Sequence, residues 1–278
     1  MADAAAIQVQ GLCRFSFPCT GGFKKYHTSL EERRVALYDP KRLDQRTLWF
    51  EQIGLPGLAA QTDPDFTLHL LMGDDLPPPW RDRVETAIKA VPQIRRHALP
   101  AMDHRAACRQ VLRAGRDLDR ATVAEFRLDD DDAVAVDFVA ALRRQHRKVQ
   151  RFANAKGRVA LDFGRGVVVH GAPEGAVTLH PLLTMCWSAG LATYLNTGDE
   201  AIVMDFPHHK VWQRMPFVNL TDQLMFIRGD HGTNDANTPW RAAGQLPHDP
   251  ADLPHLLRRR FGVDIDAFRA AWPAVAGP

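Results

Sequence analysis

The sequence has little cysteine: four residues in 278, Cys13, Cys19, Cys108 and Cys186, with no C-x-x-C pair and no Cys/His spacing of a zinc site. That excludes a disulfide scaffold and a zinc ribbon, and reduced thiols in a cytoplasmic protein are expected. Long apolar runs are also missing. None approaches the roughly 20 residues of a membrane helix, so no transmembrane segment is expected. The start, Met1 to Gln8, lacks the basic and apolar pattern of a secretion signal. Charge of either sign is nearly cancelled, because 35 Lys and Arg face 33 Asp and Glu, a formal net of +2. That balance gives no reason to expect nucleic acid or anionic lipid as a main partner. The clusters Arg143-Arg144 and Arg258 to Arg260 read as solvated helix faces. There is no internal repeat and no low-complexity linker. What is present, 45% hydrophobic residues, suffices for a full globular core.

The first half alternates strand-like and helix-like segments. Ile7 to Cys13, Phe66 to Met72, Ile94 to Leu99 and Thr122 to Leu128 read as strands. Between them, Asp39-Pro40 opens a helix with Asp as cap and Pro in the first turn. Gly54 and Pro56 kink or break it. Pro79 to Val91, Asp103 to Gly115 and about Val136 to Ala153 carry apolar residues at helical spacing. This alternation implies βαβ units and a mostly parallel sheet. After Lys156 the texture changes. Val159 to Phe163 and Gly166 to His170 flank Gly164-Arg165 as a hairpin. The remainder is aromatic, His-rich and irregular, and it closes with a short helix near Asp252 to Arg260. The expectation is one α/β domain over residues 1–278, regular to about 157 and less regular from about 158.

Asp129 to Asp132 stand at the end of the strand Thr122 to Leu128. In a parallel α/β sheet, ligands bind beyond the carboxyl ends of the strands. Four adjacent carboxylates repel one another unless a cation compensates. On an extended backbone, residues i and i+2 point the same way, which pairs Asp129 with Asp131 and Asp130 with Asp132. Hard oxygen ligands with no nearby cysteine suit Mg²⁺ or Mn²⁺. The plainer reading is an acidic loop that caps the following helix, a task for Asp132 alone. Two chemistries place D-x-D after a strand. In haloacid-dehalogenase-type phosphatases the pattern D-x-D-x-[TV], which Asp130 to Val134 fits formally, follows the first strand, and here about three strands precede it. In GT-A glycosyltransferases D-x-D ends about the fourth strand, which is where this one lies. A module that binds nucleotide sugar or cation without turnover is the non-enzymatic alternative.

The segment Leu128 to Asp132, followed after three residues by Val136-Asp137-Phe138-Val139, resembles the LDxDD…PDxL block of glycosyltransferase family 2. Gln61 to Phe66, a strand, and Asp74-Asp75 are similar to that family's other acidic block. With Gly11 to Ser16, Phe126 to Asp132, Leu161-Asp162-Phe163, His208-His209-Lys210 and Phe226 to Gly229, the chain resembles a bacterial rhamnosyltransferase family over residues ~7 to ~235. The resemblance implies a GT-A fold, a nucleotide-diphosphate sugar donor (dTDP- or UDP-linked), a saccharide or glycan acceptor, and Mn²⁺ or Mg²⁺. It places the nucleotide in the first half of the chain and the acceptor in the second. Asp129 and Asp131 match the D-x-D, Asp131 as the direct metal ligand and Asp129 as a contact to donor sugar or ribose as well as to metal, with Asp130 beside them. Asp74 or Asp75 matches the contact to the base, and Cys13 and Arg14 lie where the nucleoside packs. The long segment Arg14 to Ser29 departs from the short loop usual there.

Sugar transfer by inversion needs a group that accepts the acceptor's proton. Asp235 leads the candidates, followed by Asp205, with Asp230 and His231 behind. Met225 to Asp235 reads as a strand entering a polar loop of the kind that bears function, although Asn234-Asp235 also suits plain turn chemistry. A late histidine completes the metal shell in many GT-A enzymes, and His231 matches it. His208 or His209 suits a hydrogen bond to the diphosphate or acceptor, and equally a structural role. Trp187, Trp212 and Trp240 suit sugar stacking or packing. Arg127 either balances the aspartates or points to the opposite face.

Overall fold

The computed structural model describes residues 7–21, 29–232, 234, 240–247, 249 and 251–277. In chain order, β1 (Ile7–Arg14) is followed by α1 (Leu30–Leu37), α2 (Pro40–Trp49), a π-helical turn at Phe50–Gly54, α3 (Leu55–Ala59), β2 (Thr67–Gly73), α4 (Pro78–Ile88), β3 (Ile94–Leu99), α5 (His104–Ala114) and β4 (Thr122–Asp129). Then come β5 (Ala133–Val134), α6 (Phe138–Val149), β6 (Val159–Phe163), β7 (Arg165–Gly171), β8 (Val177–Leu183), β9 (Leu191–Asn196), β10 (Phe217–Leu220), β11 (Phe226–His231), β12 (Gly244–Gln245), α7 (Asp252–Phe261) and α8 (Ile265–Ala271).

Two sheets form. The larger has seven strands in the order β10-β6-β9-β4-β1-β2-β3. Its β3-β2-β1-β4 part is parallel, and β9 enters antiparallel between β4 and β6. This order, with one reversed strand beside β4, bears out the mostly parallel α/β sheet expected of the first half. The smaller sheet, β12-β8-β7-β11-β5, carries the late strands.

Alternation sets the two faces of the larger sheet. Val9 and Cys13 of β1, Leu68, Leu70 and Met72 of β2, and Ala124, Phe126 and Leu128 of β4 join the main core with α2, α4 and α6. The intervening residues face the other way, where Leu12 and Leu71 pack on Ala107, Cys108, Val111 and Leu112 of α5. Helix starts follow from local chemistry. Asp39 accepts from the Arg42 N–H, and Asp103 accepts from the Ala106 N–H, each satisfying an otherwise orphaned donor. Pro56 removes a helical donor, and the chain takes a π turn just before it.

The expected hairpin of β6 and β7 does not form. β6 pairs with β9 and β10, whereas β7 pairs with β8 and β11, so Gly164 carries the chain from one sheet to the other. α1 and α8 had no sequence expectation, because each is short and only a few of its residues are buried. All four cysteines are free and buried, and no described helix is long and apolar enough to cross a membrane.

Candidate active site

β1 and β4 are register partners, Leu12 opposite Arg127 and Arg14 opposite Asp129. By alternation Arg14, Arg127 and Asp129 therefore share the α5-side face at the carboxyl end of the parallel strands. β11 supplies Arg228, whose Nη1 lies 3.0 Å from Asp129 Oδ2 and 2.8 Å from Asp132 Oδ2. Arg14 Nη2 lies 3.6 Å from Asp129 Oδ1, and Arg14 Nη1 lies 3.0 Å from His104 Nε2. Burial pulls the Asp129 carboxyl upward. The guanidiniums of Arg228, Arg127 and Arg14 outweigh it and hold the group well below the usual carboxylate range.

The acidic run does not stay extended. The Asp132 N–H donates to the Asp129 carbonyl at 3.1 Å, so the chain turns. The expected i, i+2 pairing is replaced: Asp129 and Asp132 share Arg228, while Asp130 and Asp131 share Arg46 of α2. Asp129 keeps 26% of its side-chain exposure, against 1%, 1% and 0% for the other three. Asp131 Oδ2 accepts from Arg46 Nη1 at 3.0 Å, His231 Nε2 at 3.1 Å and Asn234 Nδ2 at 2.5 Å. Trp49 stacks on the His231 ring with centroids 5.0 Å apart. Burial raises the Asp130 carboxyl to about 6 and, despite Arg228, pushes Asp132 up as well. Asp132 also accepts from the Gly229 N–H, so it ties the run to β11 instead of capping α6.

A second arm of the site comes from the late half. Cys186 adopts φ 62°, and its N–H donates to the buried carboxylate of Asp162 at 2.7 Å. The Cys186 carbonyl lies 2.5 Å from His208 Nδ1. A carbonyl only accepts, so Nδ1 carries the proton and the Nε2 lone pair is left for the site. Burial and Arg127 push the His208 imidazole down to about 4, with Asp129 acting in the opposite sense. His208 is thus neutral near pH 7 and within electrostatic reach of the Arg127–Asp129 pair.

The other expected residues are placed as follows. Cys13 faces the core, 1% exposed, and its thiol is raised by burial and by Asp130 and Asp129. It lines no open surface, because strand alternation turns it away from Arg14. Asp130, expected beside the donor, is internal for the same reason that it meets Arg46. Asp75 bonds Tyr38 at 2.6 Å and Arg34 at 2.7 Å, so α1 holds it, whereas Asp74 is exposed at the end of β2. Asp205 bonds Arg109 of α5 at 2.7 Å and the Ile202 N–H at 3.1 Å, two structural partners that occupy both oxygens. Asp230 is taken by His170 at 2.8 Å and Trp240 at 2.6 Å. His209 is exposed next to His208. Asp235 lies outside the described residues. Trp240 is buried and Trp212 is exposed.

The GT-A resemblance implies a divalent cation at Asp129 and Asp131 with His231. Asp131 and His231 do meet, but the Arg46 guanidinium stands between Asp130, Asp131 and His231, and each oxygen of Asp129 faces another guanidinium. Among the described residues no three His, Cys, Asp or Glu side chains are grouped as a cation shell. As arranged, these side chains do not fit a divalent cation.

Arg46, Arg228 and Asp162 were not singled out from the sequence as site residues. Arg46 had one signal, a charged position on the apolar side of the helix opened by Asp39-Pro40, next to Thr47 and Phe50.

No curated protein matches the chain. Among solved structures, S. aureus TarS 1-349 is 11% identical with a TM-score of 0.42, over 80% of this chain and 60% of that one. Its complex with UDP-GlcNAc is 11% identical with a TM-score of 0.41, over 90% and 64%. The chain thus spans less than two thirds of the TarS fragment. A "putative nucleotide-diphospho-sugar transferase" from Desulfovibrio desulfuricans G20 is 13% identical with a TM-score of 0.28, over 96% and 98%. The family model described as "Putative rhamnosyl transferase" matches residues 8–243, which takes in β1 but for its first residue, the acidic run, His208 and all of β11. With most of its length matched and every arm of the site inside the match, the chain belongs to that family.

Proposed function

We propose that the protein is a glycosyltransferase that moves a sugar, rhamnose by family membership, from a nucleoside-diphosphate donor to a saccharide hydroxyl with inversion. The observation that carries this reading is Asp129, the one partly exposed carboxylate of the run, ringed by Arg14, Arg127 and Arg228 at the carboxyl edge of β1 and β4. Guanidiniums there suit a diphosphate, and a carboxylate among them suits a sugar or ribose hydroxyl. In the reaction the bond from the anomeric carbon to the diphosphate breaks and a bond to the acceptor oxygen forms. The arginines stabilise the charge that develops on the diphosphate. The acceptor proton passes to His208 Nε2, which is unprotonated and oriented by the Cys186 carbonyl. The phosphatase alternative needs Asp130 as an exposed nucleophile, and Asp130 is 1% exposed against Arg46.

The test is nucleotide release from a panel of nucleoside-diphosphate sugars, dTDP-rhamnose included, with a panel of saccharide acceptors. One donor is expected to turn over. Asp129→Asn is expected to lower kcat/KM by about 100-fold. His208→Ala should lower kcat about 10²–10⁴-fold while leaving donor KM within about twofold. Absence of turnover with every donor, together with absence of nucleotide binding, sinks the reading. Tight donor binding without turnover leaves the non-catalytic module in its place.

A further inference from the structure

Asp130, Asp131 and His231 offer carboxylate oxygen and imidazole nitrogen, donor types that a divalent ion takes. They are gathered around a side chain of the protein and not as a cation shell. Arg46 Nη1 lies 3.0 Å from Asp131 Oδ2 and 3.2 Å from His231 Nε2, and Nη2 bonds Asp130 Oδ1. The guanidinium is held in place. Leu43, Thr47 and Trp49 of the same helix are fully buried or nearly so, and Trp49 closes the site by stacking on His231. Those buried neighbours fix the α2 backbone from which Arg46 projects. At the strand ends the guanidiniums of Arg14, Arg127 and Arg228 surround Asp129, a surplus of positive charge where the donor's diphosphate would arrive.

We propose that this transferase works without a divalent cation: Arg46 stands in the cation's place among Asp130, Asp131 and His231, and Arg14, Arg127 and Arg228 take the donor's diphosphate beside Asp129. The proposal rests on the transferase reading for its second half only. It accounts for two features together, the loss of Asp131 to the interior and the concentration of arginine at the edge. Buried Asp130 Oδ2 and Asp131 Oδ1 carry no hydrogen-bond partner among the described residues, and they are the atoms on which an added cation would register.

The test uses the full chain after treatment with EDTA. Thermal unfolding is followed with and without Mn²⁺ or Mg²⁺, and UDP and dTDP binding are titrated calorimetrically under the same conditions. For the wild type, Mn²⁺ is expected to move Tm by less than about 1 °C, and the Kd of the bound nucleotide should change by less than about twofold between EDTA and Mn²⁺. Arg228→Gln should weaken that nucleotide about 10- to 100-fold. Arg46→Met vacates the position and should gain a Mn²⁺-dependent rise of several degrees. A rise of several degrees in the wild type, or nucleotide binding that needs Mn²⁺ by more than about tenfold, overturns the proposal. So does a folded Arg46→Met protein that ignores Mn²⁺. If that variant does not fold, the wild-type titrations decide alone. Failure of every nucleotide to bind refutes the arginine edge and the transferase reading together, while the Mn²⁺ melting curve still decides the role of Arg46.

Discussion

Asp132 donates its backbone N–H to the Asp129 carbonyl at 3.1 Å. That turn sorts four identical side chains into two jobs. Asp129 remains at the strand end with Arg14 and Arg228, while Asp130 and Asp131 turn inward onto Arg46. A straight strand would have put Asp131 beside Asp129 and left the site with two open carboxylates.

The turn depends on close approach by β11. A Cβ on Gly229 would lie 2.5 Å from the Asp131 carbonyl oxygen and 2.8 Å from its Cβ. Gly229→Ala should therefore push the acidic run off β11 and cost about 1–3 kcal/mol. Urea unfolding measures the loss, and an unchanged midpoint would show that the run yields freely.

The Asp162 carboxyl is pushed up to about 7 by burial, against the opposing hydrogen bond from the Cys186 N–H. In the unfolded chain it titrates near 3.8. The folded state thus binds the extra proton between those values. Its contribution to stability is full below about pH 4 and is lost as pH rises through about 7. Asp162→Asn removes this dependence. The stability of wild type minus variant should fall by roughly 2–4 kcal/mol from pH 4 to pH 8, read from denaturant midpoints across that range.

His208 titrates in the opposite sense, pushed down to about 4 by burial and Arg127. If it accepts the acceptor's proton, kcat should be independent of this group from pH 6 to pH 8 and should decline as pH approaches about 4. A kcat that instead halves near pH 6.5 would assign the proton to another group.

Behind the site, Arg116 and Glu125 form a pair with side chains 2% and 0% exposed at 2.8 Å. Glu125 also accepts from Gln10 and from the Val203 N–H. Arg116→Met leaves that carboxylate without its cation and should cost about 3–5 kcal/mol. Adding Glu125→Gln should restore part of the loss, measurable as a non-additive double-mutant cycle.

Periodicity and caps in the sequence were enough to determine β1 to β4, the helices α2, α4 and α5 and the position of the acidic run at a strand end. Those features depend on neighbours a few residues apart. Asp39 caps its helix as the Asp39-Pro40 pair implies, and the resemblance carried by Leu128 to Asp132 and His208 to Lys210 marked the family. Tertiary structure alone decided which aspartate faces the solvent, because that depends on one turn and on two arginines 84 and 99 positions away. It also separated β6 from β7, since each finds partners in a different sheet. It joined Asp162, Cys186 and His208 through the backbone N–H and carbonyl of Cys186, which no side-chain pattern encodes. Local spacing specifies elements, whereas the charge balance of the site comes from contacts between residues far apart in the chain, which only the packed sheets bring within hydrogen-bond reach.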